Sequence, residues 1–226
     1  MTTTLLLNRC HYPVTALGPG VRAGIWVQGC TIACPGCVAV DTWAATPEAA
    51  VGVDAVMGWL STLDGPVDGV TISGGEPFQQ PQAVGALIRE IRDWAGPGRL
   101  DVLVYSGYSL SRLRSRTHLS ALVDLCDAVV TGPYVRARPD GGWLRGSSNQ
   151  VLTPLTALGR ERYGAESVEA TRSGEPEAPL KAPRMQVSVE GGRVRMIGVP
   201  RRGDLDRAAE ELRRAGIEIE GASWWS

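Results

Sequence analysis

Five short apolar runs bounded by turn residues recur through the first part of the chain: LLLNRC, AGIWVQG, DGVTISGG, DVLVYSGY and DAVVTGPY. They are rich in β-branched residues, and several are continuous rather than alternating, as strands buried on both faces of a parallel sheet are. Between them, residues 47–63, 79–95 and 109–125 carry apolar side chains at helical spacing; in the last stretch Leu110, Leu113, Leu119, Leu122 and Val123 mark one side. Strands alternating with helices predict an α/β fold with right-handed crossovers.

At 226 residues the chain suits one main domain with an appended piece. The composition changes between Leu158 and Pro183, where Glu, Ala, Gly, Pro and Ser dominate and apolar anchors are few. The expected organisation is a core at 1–157, a flexible linker or loop at 158–183, and a small C-terminal α+β appendix at 184–226. In the appendix RMQVSVEGG and RVRMIGV read as a hairpin about Gly191 and Gly192. Asp204 is placed to cap a helix ended by Gly216, and IEIEG reads as a last strand, giving ββαβ. The terminal ASWWS reads as an amphipathic end that packs on the main domain.

Formal net charge is −1, with no long basic or acidic block, so charge suggests neither nucleic-acid binding nor an anionic membrane surface. MTTTLLLNRC offers three leucines and no basic leader, too little for a signal peptide or a spanning helix, so a cytoplasmic protein is expected. In that reducing compartment clustered cysteines bind metal or do chemistry rather than form disulfides.

Three of the five cysteines, Cys30, Cys34 and Cys37, fall within GCTIACPGC. Such spacing lets one tight loop hold three corners of a cubane cluster, with Gly29 and Gly36 allowing the backbone to curl around it. A structural zinc site would need a fourth ligand. His11 and His118 are not at ligand spacing, but Cys10 or Cys126 could fold back to supply it, so zinc stays open at this stage; Cys126 in LVDLCDAVV also reads as a small buried hydrophobe.

Cys30-x3-Cys34-x2-Cys37 resembles the cluster motif of the radical S-adenosylmethionine (SAM) superfamily, in which three cysteines hold a [4Fe-4S] cluster and the fourth iron chelates SAM. SGGEPF, with Gly74, Gly75, Glu76 and Pro77, resembles the family's GGEP motif, which helps hold the methionyl amino group. A second GEP at Gly174–Pro176 has no strand before it and carries no weight. LGPGVRAGIWVQGC, CPGCVAVDTW, YSGY and RGSSNQ narrow the resemblance to the small activating enzymes of anaerobic ribonucleotide reductase and other glycyl radical enzymes. Gly36, where most of the superfamily carries an aromatic residue, agrees with that branch. Thr131, where the branch leads one to expect an acidic residue, does not, and the chain runs about 75 residues beyond RGSSNQ.

The resemblance implies an incomplete parallel βα barrel of the radical SAM type, and the length is short for a closed eight-stranded one. It implies an enzyme that reductively cleaves SAM to a 5′-deoxyadenosyl radical and installs a glycyl radical on a partner such as an anaerobic ribonucleotide reductase. An electron donor such as flavodoxin or ferredoxin would serve it. Tyr108, Asn149 and Gln150 are expected contacts to SAM or to an inserted glycyl loop. Hydrogen-atom abstraction needs no general acid or base, which agrees with a chain that has two histidines and no evident triad. Two alternatives stand beside this reading: a radical SAM enzyme acting directly on a peptide or small metabolite, and a non-catalytic metal-binding module.

Overall fold

The computed structural model describes residues 3–96, 100–139, 142–164, 185–190, 193–201 and 203–217. Seven strands form one sheet in the order β3-β1-β2-β4-β5-β6-β7, built from β1 (Thr4–Val14), β2 (Arg22–Val27), β3 (Ala50–Gly52), β4 (Gly69–Gly74), β5 (Asp101–Ser106), β6 (Ala128–Thr131) and β7 (Val151–Pro154). The four central strands β2, β4, β5 and β6 are parallel, while β1, β3 and β7 add antiparallel edges. All five apolar runs are therefore strands, though the first, LLLNRC, pairs antiparallel. β2 and β6 are buried along their whole length, as continuous apolar runs require.

Strand parity sorts the side chains between two faces. Ala23, Ile25, Val27, Val70, Ile72, Val102, Val104 and Val129 join the main core with the helices α1 (Val53–Ser61), α2 (Pro81–Ala95), α3 (Leu110–Arg114) and α4 (Thr117–Val123). In α2, Pro81 opens the first turn, Val84, Leu87, Ile88 and Ile91 form the buried stripe, and Gly96 at φ +73° closes the helix. The stretch expected as one helix over 109–125 is two. Arg116 is extended between them, yet Leu113, Leu119, Leu122 and Val123 are buried as the spacing predicts, with Leu110 half-buried. The helix expected from residue 47 begins at Val53, because Ala50–Gly52 pairs with β1.

The other face carries Arg22, Trp26, Thr71, Asp101, Leu103, Tyr105, Ala128 and Val130. At the end where the parallel strands begin, it is sealed by charge. Arg22 donates from Nη1 and Nη2 to both Asp101 oxygens at 3.0 and 2.8 Å and from Nε to Thr71 Oγ1 at 2.7 Å, with both side chains fully buried. Arg162 Nη1 and the Tyr163 hydroxyl also donate to Asp101.

Those last two residues lie on α5 (Ala157–Tyr163), where the composition alone suggested that a linker begins at Leu158. Three residues explain the helix. Thr156 caps it by accepting from Gly159 N at 3.0 Å. Gly159 lets it close on Asp127, whose carbonyl oxygen a Cβ would approach to 2.0 Å, and Tyr163 anchors it against Asp101. The remainder of the expected linker, including the second GEP, lies outside the described residues.

The appendix contains an antiparallel pair, β8 (Met185–Glu190) and β9 (Arg193–Gly198), followed by α6 (Asp204–Arg214). The N-cap of α6 is Gly203 rather than Asp204; the Asp204 carboxylate instead accepts from Arg201 N at 2.6 Å. Gly216 follows the helix at φ +78°, as expected of a terminator. Gly191 and Gly192, most of IEIEG, and ASWWS lie outside the described residues. Among the described residues no helix is long and apolar enough to cross a membrane.

Candidate functional site

The loop after β2 and the loop after β4 are sewn together through their backbones at the carboxyl end of the parallel strands, where α/β folds place their ligands. Gly75 N donates to Val27 O at 2.8 Å and Glu76 N to Gly29 O at 2.9 Å. A Cβ on Gly75 would come within 2.3 Å of Gly29 O, and Gly74 sits at φ +98° with its own Cβ position 2.6 Å from Val27 O. Both glycines of SGGEPF are thus needed for the close approach of two chains.

The cysteine loop is pinned on its other side by Gly29 N to Thr42 O at 2.8 Å and Cys30 N to Trp43 O at 2.9 Å. Gln28 Nε2 adds bonds to the carbonyls of Asp41 and Ala44 at 3.0 and 2.6 Å. Within it, Cys37 N donates to Cys34 O at 3.0 Å, and Ala33 and Gly36 take positive φ. Cys30, Cys34 and Cys37 are all free and half-buried. Burial raises the Cys34 thiol above its ordinary pKa, a hydrogen bond from the Tyr134 backbone opposes that, and the neighbouring Cys37 and Cys30 push it further up. The three thiols therefore share one neighbourhood.

Cys10 and Cys126 do not join them. Cys10 packs against the helix-side core, where burial pushes its pKa up to about 12, and Cys126 is fully buried there with its thiol on Leu122 O at 3.3 Å. His11 is buried on β1 and His118 is exposed on α4. Among the described residues no set of three His, Cys, Asp or Glu side chains is arranged to hold a single metal ion. Cys10 and Cys126, the two candidates for a fourth zinc ligand, thus pack with the helix-side core.

Glu76 is 1% exposed and accepts from Gly107 N at 2.7 Å, Ser106 Oγ at 2.9 Å and Phe78 N at 3.0 Å. Burial pushes its carboxyl up to about 7 against the pull of those donors. The carboxylate ties the ends of β4 and β5 together through these three bonds. Pro77 is buried and opens a single turn of 3-10 helix.

Tyr108 OH accepts from Gln79 Nε2 at 2.8 Å, and Gln79 also reaches Thr31 in the cysteine loop. Arg112 lies 4.1 Å above the Tyr108 ring. Gln150 accepts from Gly146 N at 2.8 Å and donates to Gly132 O at 3.1 Å, closing the RGSSNQ turn onto the loop after β6. Asn149 Nδ2 donates to Pro133 O at 2.7 Å, while its buried Oδ1 has no partner among the described residues. Thr131 is buried and its hydroxyl donates to Val151 O at 3.4 Å, a link within the sheet.

A cavity of about 400 Å³ opens beside this end, within the size range of small-molecule pockets. Of the residues singled out in the sequence, it brings together Cys37, Gly74 and Gln150; the others do not line it. Sequence reasoning missed three of its walls. Arg9 is ion-paired with Asp41 at 2.8 Å and lies 5.1 Å over the Trp26 ring, Tyr105 and Tyr134 close another side, and β9 forms the third. Arg9 and Trp26 could have been found from the β1–β2 alternation; β9 could not, because nothing in its sequence points to this site.

Three half-buried thiols on one curled loop, next to a cavity that reaches Cys37 and Gly74, fit a cluster with one open corner and a small ligand beside it.

Residues 16–153 match the family model of the 4Fe-4S single cluster domain. The chain is 33% identical over 152 residues to the anaerobic ribonucleoside-triphosphate reductase-activating protein of Escherichia coli (strain K12), covering 64% of this chain and 96% of that protein. The protein of that name from Salmonella typhimurium is 35% identical over 153 residues, with the same coverage, and that of Enterobacteria phage T4 is 28% identical, covering 60% of this chain and 85% of that protein. Among solved structures, QueE from Escherichia coli overlaps 47% of this chain and 53% of its own at 14% identity and a TM-score of 0.40, too partial an overlap to bear on the fold.

Proposed function

The chain belongs to the 4Fe-4S single cluster domain family, and on that premise we propose that it is a radical SAM activase that installs a glycyl radical on an anaerobic ribonucleoside-triphosphate reductase. The observation that carries this reading is the backbone junction of the Cys30–Cys37 loop with Gly74 and Gly75, opening onto a ligand-sized cavity. Held by this chain, the cluster and SAM would supply one-electron reductive cleavage and, from it, hydrogen-atom abstraction at a glycine Cα of the partner.

The protein's residues do the rest. Cys30, Cys34 and Cys37 would hold the cluster, and no fourth protein ligand is called for where SAM would bind. Gly74 and Gly75 let the strand end approach the methionyl group without a Cβ in the way. Glu76 acts as a positioning residue, locking the β4 and β5 ends that form the floor. Tyr108, Gln150 and Pro77 hold the loops around it, and the apolar walls keep water from a radical that attacks any nearby C–H. The layer of α1–α4 on one face and the open strand order support an incomplete barrel with the appendix as a separate C-terminal unit. A flavodoxin or ferredoxin as reductant and a cytoplasmic setting belong to the same proposal.

Direct action on a peptide or small metabolite is the second reading, and one observation favours it: β9, which lies beyond the family match, forms a wall of the cavity. Electron paramagnetic resonance of the reductase after anaerobic incubation with reconstituted protein, SAM and reductant decides between them. A protein-borne glycyl radical is expected; SAM cleavage with no radical on the reductase would favour the second reading.

A further inference from the structure

The cysteine loop has a third neighbour besides the end of β4 and the segment at Thr42 and Trp43. The loop after β6, residues 132–136, meets it twice. Tyr134 N donates to the Cys34 thiol. The stem of Arg136 lies across Gly36, where an added Cβ would stand 3.0 Å from Cδ and 3.6 Å from Cγ.

The RGSSNQ turn in turn holds that loop, residue by residue. Gln150 Nε2 donates to Gly132 O at 3.1 Å, Asn149 Nδ2 donates to Pro133 O at 2.7 Å, and Ser147 Oγ accepts from Val135 N at 3.1 Å. The middle contact has a particular consequence, because Pro133 O and Tyr134 N are the two polar ends of one planar peptide unit. Asn149 grips the carbonyl of the same amide whose N–H meets Cys34. Its donation fixes the plane of that amide and polarises it, which strengthens the donor at the other end. Asn149 itself does not line the cavity, so its reach toward the site runs through this peptide.

We propose that Asn149 is a positioning residue for the cluster: through the Pro133–Tyr134 peptide it aims an N–H at the Cys34 sulfur and raises the potential at which the bound cluster is reduced. A reduced cluster carries one more negative charge, shared with its cysteine sulfurs, so a donor at sulfur favours the reduced form. The sequence marks Asn149 as a contact to SAM or to an inserted glycyl loop; the geometry gives it a hold on a cluster ligand instead. This inference rests on the cluster-binding part of the proposed function and holds for either target of the radical.

The test is an anaerobic redox titration of the reconstituted full-length protein without SAM, followed by electron paramagnetic resonance, for wild type, Asn149→Ala and Thr156→Ala. Thr156→Ala removes a helix cap at the opposite end of the strands and controls for general loosening. Asn149→Ala is expected to shift the reduction equilibrium about tenfold toward the oxidised cluster, which is about 59 mV for one electron. Thr156→Ala should stay within about twofold of wild type. A second measurement needs no variant: pulsed resonance of the reduced wild-type cluster, with the tyrosine nitrogens isotopically labelled, should show coupling to the Tyr134 amide. An unchanged potential in Asn149→Ala, equal shifts in the two variants, or no tyrosine nitrogen coupled to the wild-type cluster would overturn the inference and leave the proposed function intact. A wild type that takes up no iron–sulfur cluster would overturn both.

Discussion

The two ends of the same four parallel strands are built on opposite principles. At the end where the strands begin, Arg22, Thr71, Asp101, Arg162 and Tyr163 satisfy one another, and the two central charges are fully buried. At the end where they finish, the backbone does the holding, and the side chains left over are three free thiols and an unpartnered amide oxygen. One end closes its own polar groups; the other keeps chemistry available. Closed networks at the start of the strands serve stability, and loops at their carboxyl ends serve function.

If that contrast is right, Asp101→Ala has the largest effect on folding, about 3–5 kcal/mol, because it leaves Arg22 buried without a counter-charge. Chemical denaturation of the cluster-free chain measures it, and a loss below 1 kcal/mol would break the comparison. Gly75→Ala comes next. The new methyl group meets Gly29 O, so a stability loss of about 2–3 kcal/mol is expected together with a fall in iron bound per chain after reconstitution. Asp101→Ala molecules that fold should still load iron.

The ends also titrate in opposite senses. Burial alone would raise the Asp101 carboxyl, but Arg22 and its hydrogen bonds hold it below the usual range. Its contribution is therefore complete above the unfolded value near 3.8 and disappears as pH falls through the folded one. Glu76 is raised from 4.5 to about 7, so its contribution is complete below about 4.5 and is lost as pH rises through about 7. Glu76→Gln leaves one of three donors without its acceptor, a loss of about 1–3 kcal/mol that should shrink as pH rises through that window. Urea titrations from pH 4 to 8 would show it, and a deficit that grows with pH would contradict the assignment.

The smallest effect belongs to the hairpin. Gln186→Ala removes bonds to Thr15 and Pro13 and should cost about 1 kcal/mol, with β8 and β9 exchanging faster while the sheet does not. Equal acceleration in the sheet would mean that the appendix and the core unfold as one.

Legibility in the sequence followed the same division. Continuous β-branched runs marked the strands because burial on both faces leaves no polar alternation. The junction of the two loops was legible in Gly74 and Gly75, because only glycine allows that close approach, and the clustering of Cys30, Cys34 and Cys37 is plain from their spacing. The sealing network was not visible, since the parallel register brings Arg22 to Asp101 and the packing of α5 brings Tyr163, none of them near the others in sequence. α5 was hidden because its anchors are a capping Thr156, a close-packed Gly159 and one tyrosine rather than an apolar stripe. Glu76 stood out in the sequence as part of SGGEPF but not as a latch, because its partners Ser106 and Gly107 come from the end of the neighbouring strand.

The central claim is that the thiol-bearing end does radical chemistry on SAM. The most direct measurement compares wild type with Cys34→Ala, both reconstituted anaerobically with iron and sulfide, and assays 5′-deoxyadenosine by mass spectrometry after reduction in the presence of SAM. The account predicts product from the wild type and none from Cys34→Ala, with the cluster-free chains equally stable to denaturant. Equal product from both, or none from a wild type with a full iron complement and its reductase present, would contradict it.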